Sequence, residues 1–153
     1  MNGSGDSLIR LATPYDVHHL IALGERARSE NSTDQPPIDH KRIYDMASQW
    51  FLLPELCCAL VAESDHEVVG MLVSSMTENL WSGDRSAVCH TLYATKQHRN
   101  KAPYLVKGWL KWCKRSNAKS AHLIIDGEHN FKLETLLRVL GFHQDGTRFR
   151  VTF

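Results

Sequence analysis

The sequence predicts one α/β (α+β) domain, built from a mixed, mostly antiparallel sheet with helices on both faces. Three observations predict it. Hydrophobic residues make up 42% of the 153 residues and charged residues 23%, which is typical of a globular domain. Alternating and helical hydrophobic spacings follow one another in the order β α α β β β α β α β. No linker divides the pattern, so we expect a disordered tail over residues 1–7 and a single domain over residues 8–153.

The first elements are a strand and two helices. Residues 8–12 alternate and predict the strand. Thr13-Pro14-Tyr15-Asp16 predicts a helix start, with Thr13 as N-cap and Pro14 at the first helical position, and the helix runs to about Glu30. Polar residues 31–37 predict a loop. A second helix, ending near Pro54, is indicated by apolar residues at helical spacing: Ile43, Met46, Ala47 and Trp50.

The middle of the chain predicts an antiparallel hairpin and a third strand. The hairpin strands are residues 58–63 and 67–77, and the turn between them is Ser64-Asp65-His66. Residues 79–85 predict a loop, and residues 87–94 predict the next strand.

The last third predicts a strand–helix–strand unit and a terminal strand. Residues 103–116 form the clearest helix, residues 121–125 a strand, and residues 130–140 a helix closed by Gly141. A helix joining two strands of one sheet predicts a right-handed parallel crossover. Residues 142–153 predict a strand or a tight hairpin, with a turn or bulge at Asp145-Gly146.

Charge is distributed unevenly along a nearly neutral chain. The formal net charge is +1, yet eight of the 18 Lys and Arg residues and none of the 17 Asp and Glu residues lie between Lys96 and Lys119. Such a basic block is either the solvated face of a helix or a binding site for an anion.

Cysteine and histidine usage indicates a reducing compartment and no metal site. The four cysteines form no CxxC pair and lie in apolar stretches, so we expect buried free thiols in the cytoplasm. The histidines show no HExxH or HxH spacing, which gives a zinc site little support. No apolar run reaches the roughly 18 residues of a membrane span.

The segment with the clearest chemistry is residues 92–102, LYATKQHRNKA, where a strand enters a short basic loop that opens a helix. The first turn of a helix has unpaired backbone N–H groups and the positive end of the helix dipole, so an anion such as phosphate binds there. Arg99 and Lys101 add full positive charges to that position.

This segment resembles motif A of the GNAT superfamily of N-acetyltransferases, Q/R-x-x-G-x-G/A, which cradles the pyrophosphate of acetyl-coenzyme A. Three further segments are similar to the family in the right order: IRLATPYDV, HEVVGML and ETLLRVLGF. The resemblance therefore covers nearly the whole chain. The motif is degenerate, because Asn100 replaces its first glycine, and small chains of this sort are similar to proteins of tailed phages. Asn100 is expected to adopt the left-handed conformation, which Asn tolerates better than most residues.

The resemblance implies a splayed parallel strand pair and a set of residues that bind acetyl-coenzyme A. The backbone of Leu92, Tyr93 and Ala94 would line the pantetheine arm, and a backbone amide there would polarise the thioester carbonyl. The remaining predicted coenzyme contacts are Arg99, Asn100, Lys101, Ala102, the N–H groups of Tyr104 and Leu105, and Asn130.

A catalytic base is needed because a primary amine is protonated at neutral pH. His90 precedes the motif and shares strand parity with Val88 and Leu92, and its alternative role is a hydrogen bond within the sheet. Glu78 and Asp84 are the other candidates. Leu137 stands where the family often has a tyrosine that protonates the departing thiolate, and leucine cannot donate a proton.

The prediction for function is therefore an N-acetyltransferase that moves acetyl directly from acetyl-coenzyme A to a primary amine in a ternary complex. The alternative is an inactive GNAT-fold structural or interaction protein, for instance of a phage virion or in host takeover. Nucleic-acid binding through the basic block is a weaker third hypothesis, because no such motif is present. Whether the chain forms a homodimer or binds another protein is open at this point.

Overall fold

The computed structural model describes residues 8–31, 36–124, 131–147 and 149–153. Its elements follow the predicted order up to the last helix. The strands are β1 Leu8–Leu11, β2 Cys57–Ser64, β3 Glu67–Glu78, β4 Arg85–Ala94 and β5 Ser120–Leu123. The helices are α1 Val17–Asn31, α2 His40–Leu52, α3 Ala102–Arg115 and α4 Phe131–Val139. Short 3-10 turns, Pro14–Asp16 and Lys96–Lys101, precede α1 and α3. No described helix is long and apolar enough to cross a membrane.

The five strands form one sheet in the order β1-β2-β3-β4-β5. The first three pairings are antiparallel and β4 pairs with β5 in parallel, as the strand–helix–strand unit predicts. Both residues of the β2–β3 turn have positive φ, 51° at Asp65 and 65° at His66, which matches the twist of a two-residue hairpin. The predicted mixed, mostly antiparallel sheet is confirmed.

Helices cover both faces of this sheet, which confirms the predicted layers. One core lies under α3 and α4, where Trp109 and Leu137 pack on Leu60 and Leu72 of the sheet. The opposite face packs Leu20 and Leu23 of α1 against alternate residues of the strands, such as Val61 and Met71. The central strands are apolar at successive positions because each of their faces is buried.

The C-terminal prediction is wrong for the residues that the structure describes. Residues 142–147 and 149–153 form no strand, although Gly146 has the positive φ, 90°, that a turn there requires. Phe149, Val151 and Phe153 alternate as a strand would, but all three are exposed. Alternation predicts which side chains share a face, whereas a strand also needs a neighbouring edge to pair with.

The turn that leads into α1 is held by a partly buried charge cluster. The Arg10 guanidinium donates to both carboxylate oxygens of Asp16, at 2.7 and 2.9 Å, and also to Glu63. The Thr13 backbone N–H donates to Asp16 at 2.7 Å, which is the predicted capping interaction. Although burial opposes ionisation, the Arg10 hydrogen bonds hold the pKa of Asp16 far below its usual range.

Asp16→Asn is expected to lower the free energy of unfolding by about 2 kcal/mol at pH 7, because it leaves Arg10 and the buried cap incompletely paired. An Asp whose pKa is depressed by folding stabilises the protein above its unfolded pKa of about 3.9, and that stabilisation is lost as the pH falls further. Urea unfolding at pH 7 and pH 3 should therefore show that the free energies of unfolding of the wild type and the variant differ less at the lower pH. Asp45→Asn, which breaks the exposed Lys41–Asp45 pair, is the control. It should lower the free energy of unfolding only slightly at either pH. Equal losses for the two variants would contradict the prediction.

Candidate active site

The candidate site is built on the second half of β4. β5 pairs with β4 only from Ser86 to Cys89, and β4 continues to Ala94. In the described structure, residues 90–94 therefore have no partner on the β5 side. Their free backbone N–H and C=O groups could bind an extended ligand lying between the two strands. This arrangement agrees with the splayed pair that the resemblance implies.

A β-bulge interrupts β4 at His90. Val73 of β3 pairs with Thr91 and Ser74 pairs with Cys89, so His90 has no partner on β3. A bulge changes which face the following residues occupy. Cys89 and Leu92 both pack in the α3 core, although their numbers differ by three. The expectation that His90 shares a face with Leu92 is therefore wrong, because the bulge reverses the alternation between them.

The His90 side chain is exposed and bonded to Ser75. The distance between His90 Nε2 and Ser75 Oγ is 2.6 Å. The neighbouring Ser74 accepts a hydrogen bond from Trp109 of α3, so Ser75 points to the opposite face, toward α1 and α2. The His90 side chain therefore lies on this face, next to the part of β4 that has no described partner on its β5 side. The Ser75 hydroxyl orients its ring.

The other candidate bases are not brought to this position. Glu78 is three residues beyond Ser75 on β3, about 10 Å along the strand and on the other face. Asp84 lies in the turn before β4, about 20 Å along the chain from His90. Cys89 is next to the bulge, but burial raises the pKa of its thiol to about 12, so it is protonated at neutral pH.

The predicted phosphate loop is a 3-10 turn, Lys96–Lys101, which leads directly into α3. Its first turn is closed by a Thr95 Oγ1 to His98 Nδ1 contact of 2.8 Å. Asn100 is not among the described residues with positive φ, so the expected left-handed conformation is wrong. The segment instead has a kink at His98, where φ is −123°, and its backbone conformation at Asn100 is one that any residue can adopt. Lys101 is buried, whereas Arg99 and Asn100 are exposed.

Arg99 is already engaged by another side chain. Its Nη2 atom donates to Glu30 of α1 at 2.9 Å, and its guanidinium lies 5.3 Å from the centre of the Tyr93 ring. The Tyr93 hydroxyl donates to the second oxygen of Glu30 at 2.8 Å. Burial and this carboxylate raise the pKa of Tyr93. Glu30 therefore ties the basic turn to the end of α1, and no sequence motif marks this role.

The remaining predicted residues have varied positions. Ala102 begins α3, and Tyr104 is half exposed in its first turn. Leu137 is buried in the α3–α4 core, as its apolar character predicts. Asn130 lies outside the described residues. Within the described ranges, no three His, Cys, Asp or Glu side chains are grouped closely enough to hold a metal ion.

Comparison with solved structures identifies the fold. An acetyltransferase from Trypanosoma brucei is 13% identical over 97% of this chain and 100% of that chain, with a TM-score of 0.74. The glucosamine-6-phosphate N-acetyltransferase of Arabidopsis thaliana is 10% identical over 95% and 97% of the two chains, with a TM-score of 0.75. The chain has the GNAT acetyltransferase fold.

A further structure with this GNAT fold contains the expected co-substrate. A predicted acetyltransferase from Clostridium acetobutylicum, solved with acetyl-CoA, is 15% identical over 95% of each chain, with a TM-score of 0.75. No protein-family model matches the sequence, and no curated protein matches it. These comparisons lend the phage-like resemblance no support.

Proposed function

We propose that the protein is an N-acetyltransferase that transfers acetyl directly from acetyl-coenzyme A to a primary amine. The observation that carries the proposal is the second half of β4, which has no partner on its β5 side among the described residues, begins at a bulge beside His90 and ends at the basic turn before α3. A free strand edge suits the amide-rich pantetheine arm, because both groups donate and accept hydrogen bonds. The adjoining turn suits the diphosphate.

Each part of this strand has a proposed role. The backbone groups of Leu92, Tyr93 and Ala94 bind the pantetheine arm, and a backbone N–H near the bulge polarises the thioester carbonyl. Bulges are frequent beside active sites because they re-aim backbone and side-chain groups. Asn130 is proposed to contact the arm from the segment after β5.

The diphosphate is proposed to lie at the basic turn and the start of α3. Arg99, Asn100, Lys101, Ala102 and the N–H groups of Tyr104 and Leu105 surround that position in the sequence. A phosphate oxygen can bind the N–H donors of Arg99 that Glu30 does not use, or it can replace Glu30 as the partner of Nη2. Such a replacement conserves a charge-assisted hydrogen bond and so costs little.

The chemistry requires one base. In the proposal His90 accepts a proton from the ammonium group of the acceptor, and the neutral amine attacks the thioester carbonyl. The C–N bond forms, the C–S bond breaks, the acylated nitrogen loses a proton to solvent to give the amide, and coenzyme A leaves as a thiolate that takes a proton from solvent. Leu137 is buried and has no proton to donate, so the reaction depends on the thiolate being a fair leaving group.

Calorimetry should detect acetyl-coenzyme A binding with a Kd in the micromolar range, which corresponds to a binding free energy of about −8 kcal/mol. Arg99→Glu should weaken it by at least about tenfold, since a repelling carboxylate replaces a phosphate ligand. Lys114→Glu makes the same charge change near the far end of α3, about 18 Å along the helix, and should have little effect. Absence of binding at about millimolar ligand would refute the proposal.

A second candidate is a non-catalytic protein with the same fold, acting through a partner protein. It is favoured by the engagement of Arg99 by Glu30 and by the absence of a left-handed Asn100. This candidate predicts a stable complex with another protein that coenzyme A does not affect. Turnover of acetyl-coenzyme A by the isolated chain would exclude it.

The proposed compartment is the cytoplasm, since Cys58, Cys89 and Cys113 are buried free thiols. The acceptor is proposed to be a small-molecule or protein amine.

A further inference from the structure

A groove of about 380 Å³ lies between β1 and α3, and it shares only Tyr104 with the residues proposed for acetyl transfer. Its floor is apolar and consists of Ile9, Leu11 and Leu60. α3 packs closely on this floor, since a Cβ at Gly108 would already stand in van der Waals contact, 3.4 Å from both Ile9 and Leu60. We call this cavity the β1–α3 groove.

One wall of the β1–α3 groove is a row of cations. Lys107, Lys111 and Arg115 line it at intervals of four residues, so they share one side of α3. No acidic side chain lines the groove, and none of the three forms an ion pair in the described structure. Arg10, at the rim, is already neutralised by Asp16 and Glu63. The groove therefore has a strong preference for negative charge.

The open side of the groove is a free strand edge. Among the described residues, β1 pairs only with β2. Ala12 donates its N–H to Ala59 across this pair, and backbone groups alternate in direction along an antiparallel strand. The backbone groups of Ile9 and Leu11 therefore point outward. The Leu11 carbonyl accepts one bond from Arg10, which leaves three groups for a further strand.

We propose that the β1–α3 groove binds an extended acidic segment of a partner protein, which adds a strand to the free edge of β1. Alternate side chains of that segment would place carboxylates against Lys107, Lys111 and Arg115. The spacing supports this, because four residues of a helix rise about 6 Å and two residues of a strand about 6.7 Å. Main-chain bonds to Ile9 and Leu11 would give affinity, and the cations would give specificity.

Other occupants suit the groove less well. A second copy pairing through the same β1 edge would bring two rows of cations toward each other, which costs free energy. A nucleic acid would use the cations, but it would leave the apolar floor and the strand edge without partners. A peptide strand with acidic residues at alternate positions pairs with the edge of β1 and places its carboxylates on the cations, while the aliphatic parts of those side chains cover the apolar floor.

The test is a fluorescence anisotropy titration of the full chain with a labelled peptide of alternating Glu and Val. We expect saturable binding that weakens with added salt. Lys111→Glu should raise the Kd by about tenfold or more, because it reverses the central charge of the row. Lys114→Glu is the matched control, since it makes the same change on the same helix outside the groove; because it lies one turn from Lys111, it should raise the Kd by a clearly smaller factor than Lys111→Glu. A peptide N-methylated at alternate residues should bind more weakly, because it cannot complete the strand ladder.

Circular dichroism and the Tm verify that the variants fold, and Arg115→Glu replaces Lys111→Glu if that variant does not. Equal effects of Lys114→Glu and Lys111→Glu would overturn the proposal, as would equal binding of the N-methylated peptide. Tighter binding of duplex DNA or RNA than of the peptide would assign the groove to nucleic acid. A dimer in sedimentation that Leu11→Lys dissociates would assign the edge to a second copy.

Discussion

His90→Gln is expected to lower kcat for acetyl transfer by about 100-fold or more, within the range that a positioned general base contributes. Glutamine keeps a polar group near Ser75 Oγ but cannot accept a proton at neutral pH. The KM for acetyl-coenzyme A should change little, since the proposed coenzyme contacts begin two residues later on β4. Steady-state kinetics at varied acetyl-coenzyme A measure kcat and KM.

Two other variants distinguish catalysis from structure at this position. Ser75→Ala removes the hydroxyl bonded to His90 and should lower kcat by a smaller factor, because the base remains but its ring is less well oriented. Glu78→Gln should be close to wild type, since Glu78 lies on the other face of β3. A Glu78→Gln variant that loses activity while His90→Gln retains it would reassign the base.

Trp109→Ala is expected to lower the free energy of unfolding by about 3–5 kcal/mol, the usual cost of removing a large buried aromatic side chain. Trp109 is 0% exposed, and it packs between the sheet and the Phe142 ring, whose centre is 6.4 Å away. Its indole N–H also donates to Ser74 Oγ at 2.8 Å, so the substitution leaves a buried hydroxyl without this donor. Natural domains have a free energy of unfolding of about 5–15 kcal/mol, so the variant should be only marginally stable. Guanidinium unfolding followed by circular dichroism measures the loss.

Trp81→Ala is the matched control, because the same substitution is made where the side chain is 91% exposed. It should change the free energy of unfolding by less than about 0.5 kcal/mol. Trp109→Phe should lie between the two, since it keeps most of the packing but not the hydrogen bond. Similar losses for Trp81→Ala and Trp109→Ala would mean that burial of Trp109 does not dominate the stability of this core.

The interaction between Glu30 and Arg99 links the site to the rest of the fold. Glu30 neutralises the cation that the motif resemblance assigns to phosphate, so the free site carries less positive charge than the sequence indicates. The pair also connects α1, which packs on the face of the sheet where His90 lies, to the turn before α3. Ligand binding that releases Glu30 would free a carboxylate on that face.

Local patterns predicted most of the fold. The helical spacing that predicts residues 103–116 matches α3 within one residue at each end, because one buried face imposes the period along the whole helix. The hairpin at Ser64-Asp65-His66 was also predicted, since short turns between alternating strands are specified by adjacent residues. The basic turn was predicted in position, but its 3-10 conformation was not.

The sequence by itself determined the order of elements, the layered sheet and the position of the basic turn, because these depend on neighbouring residues and on one buried face. Tertiary structure decided the bulge at His90, since a bulge is a mismatch in register between β4 and β3 and leaves no periodic signal. It also decided the partner of Arg99, because Glu30 lies 69 residues away in the chain. The exposed alternating residues at the C-terminus have the same explanation. A sequence pattern predicts which side chains share a face, but a strand forms only where the folded sheet has a free edge for it to pair with.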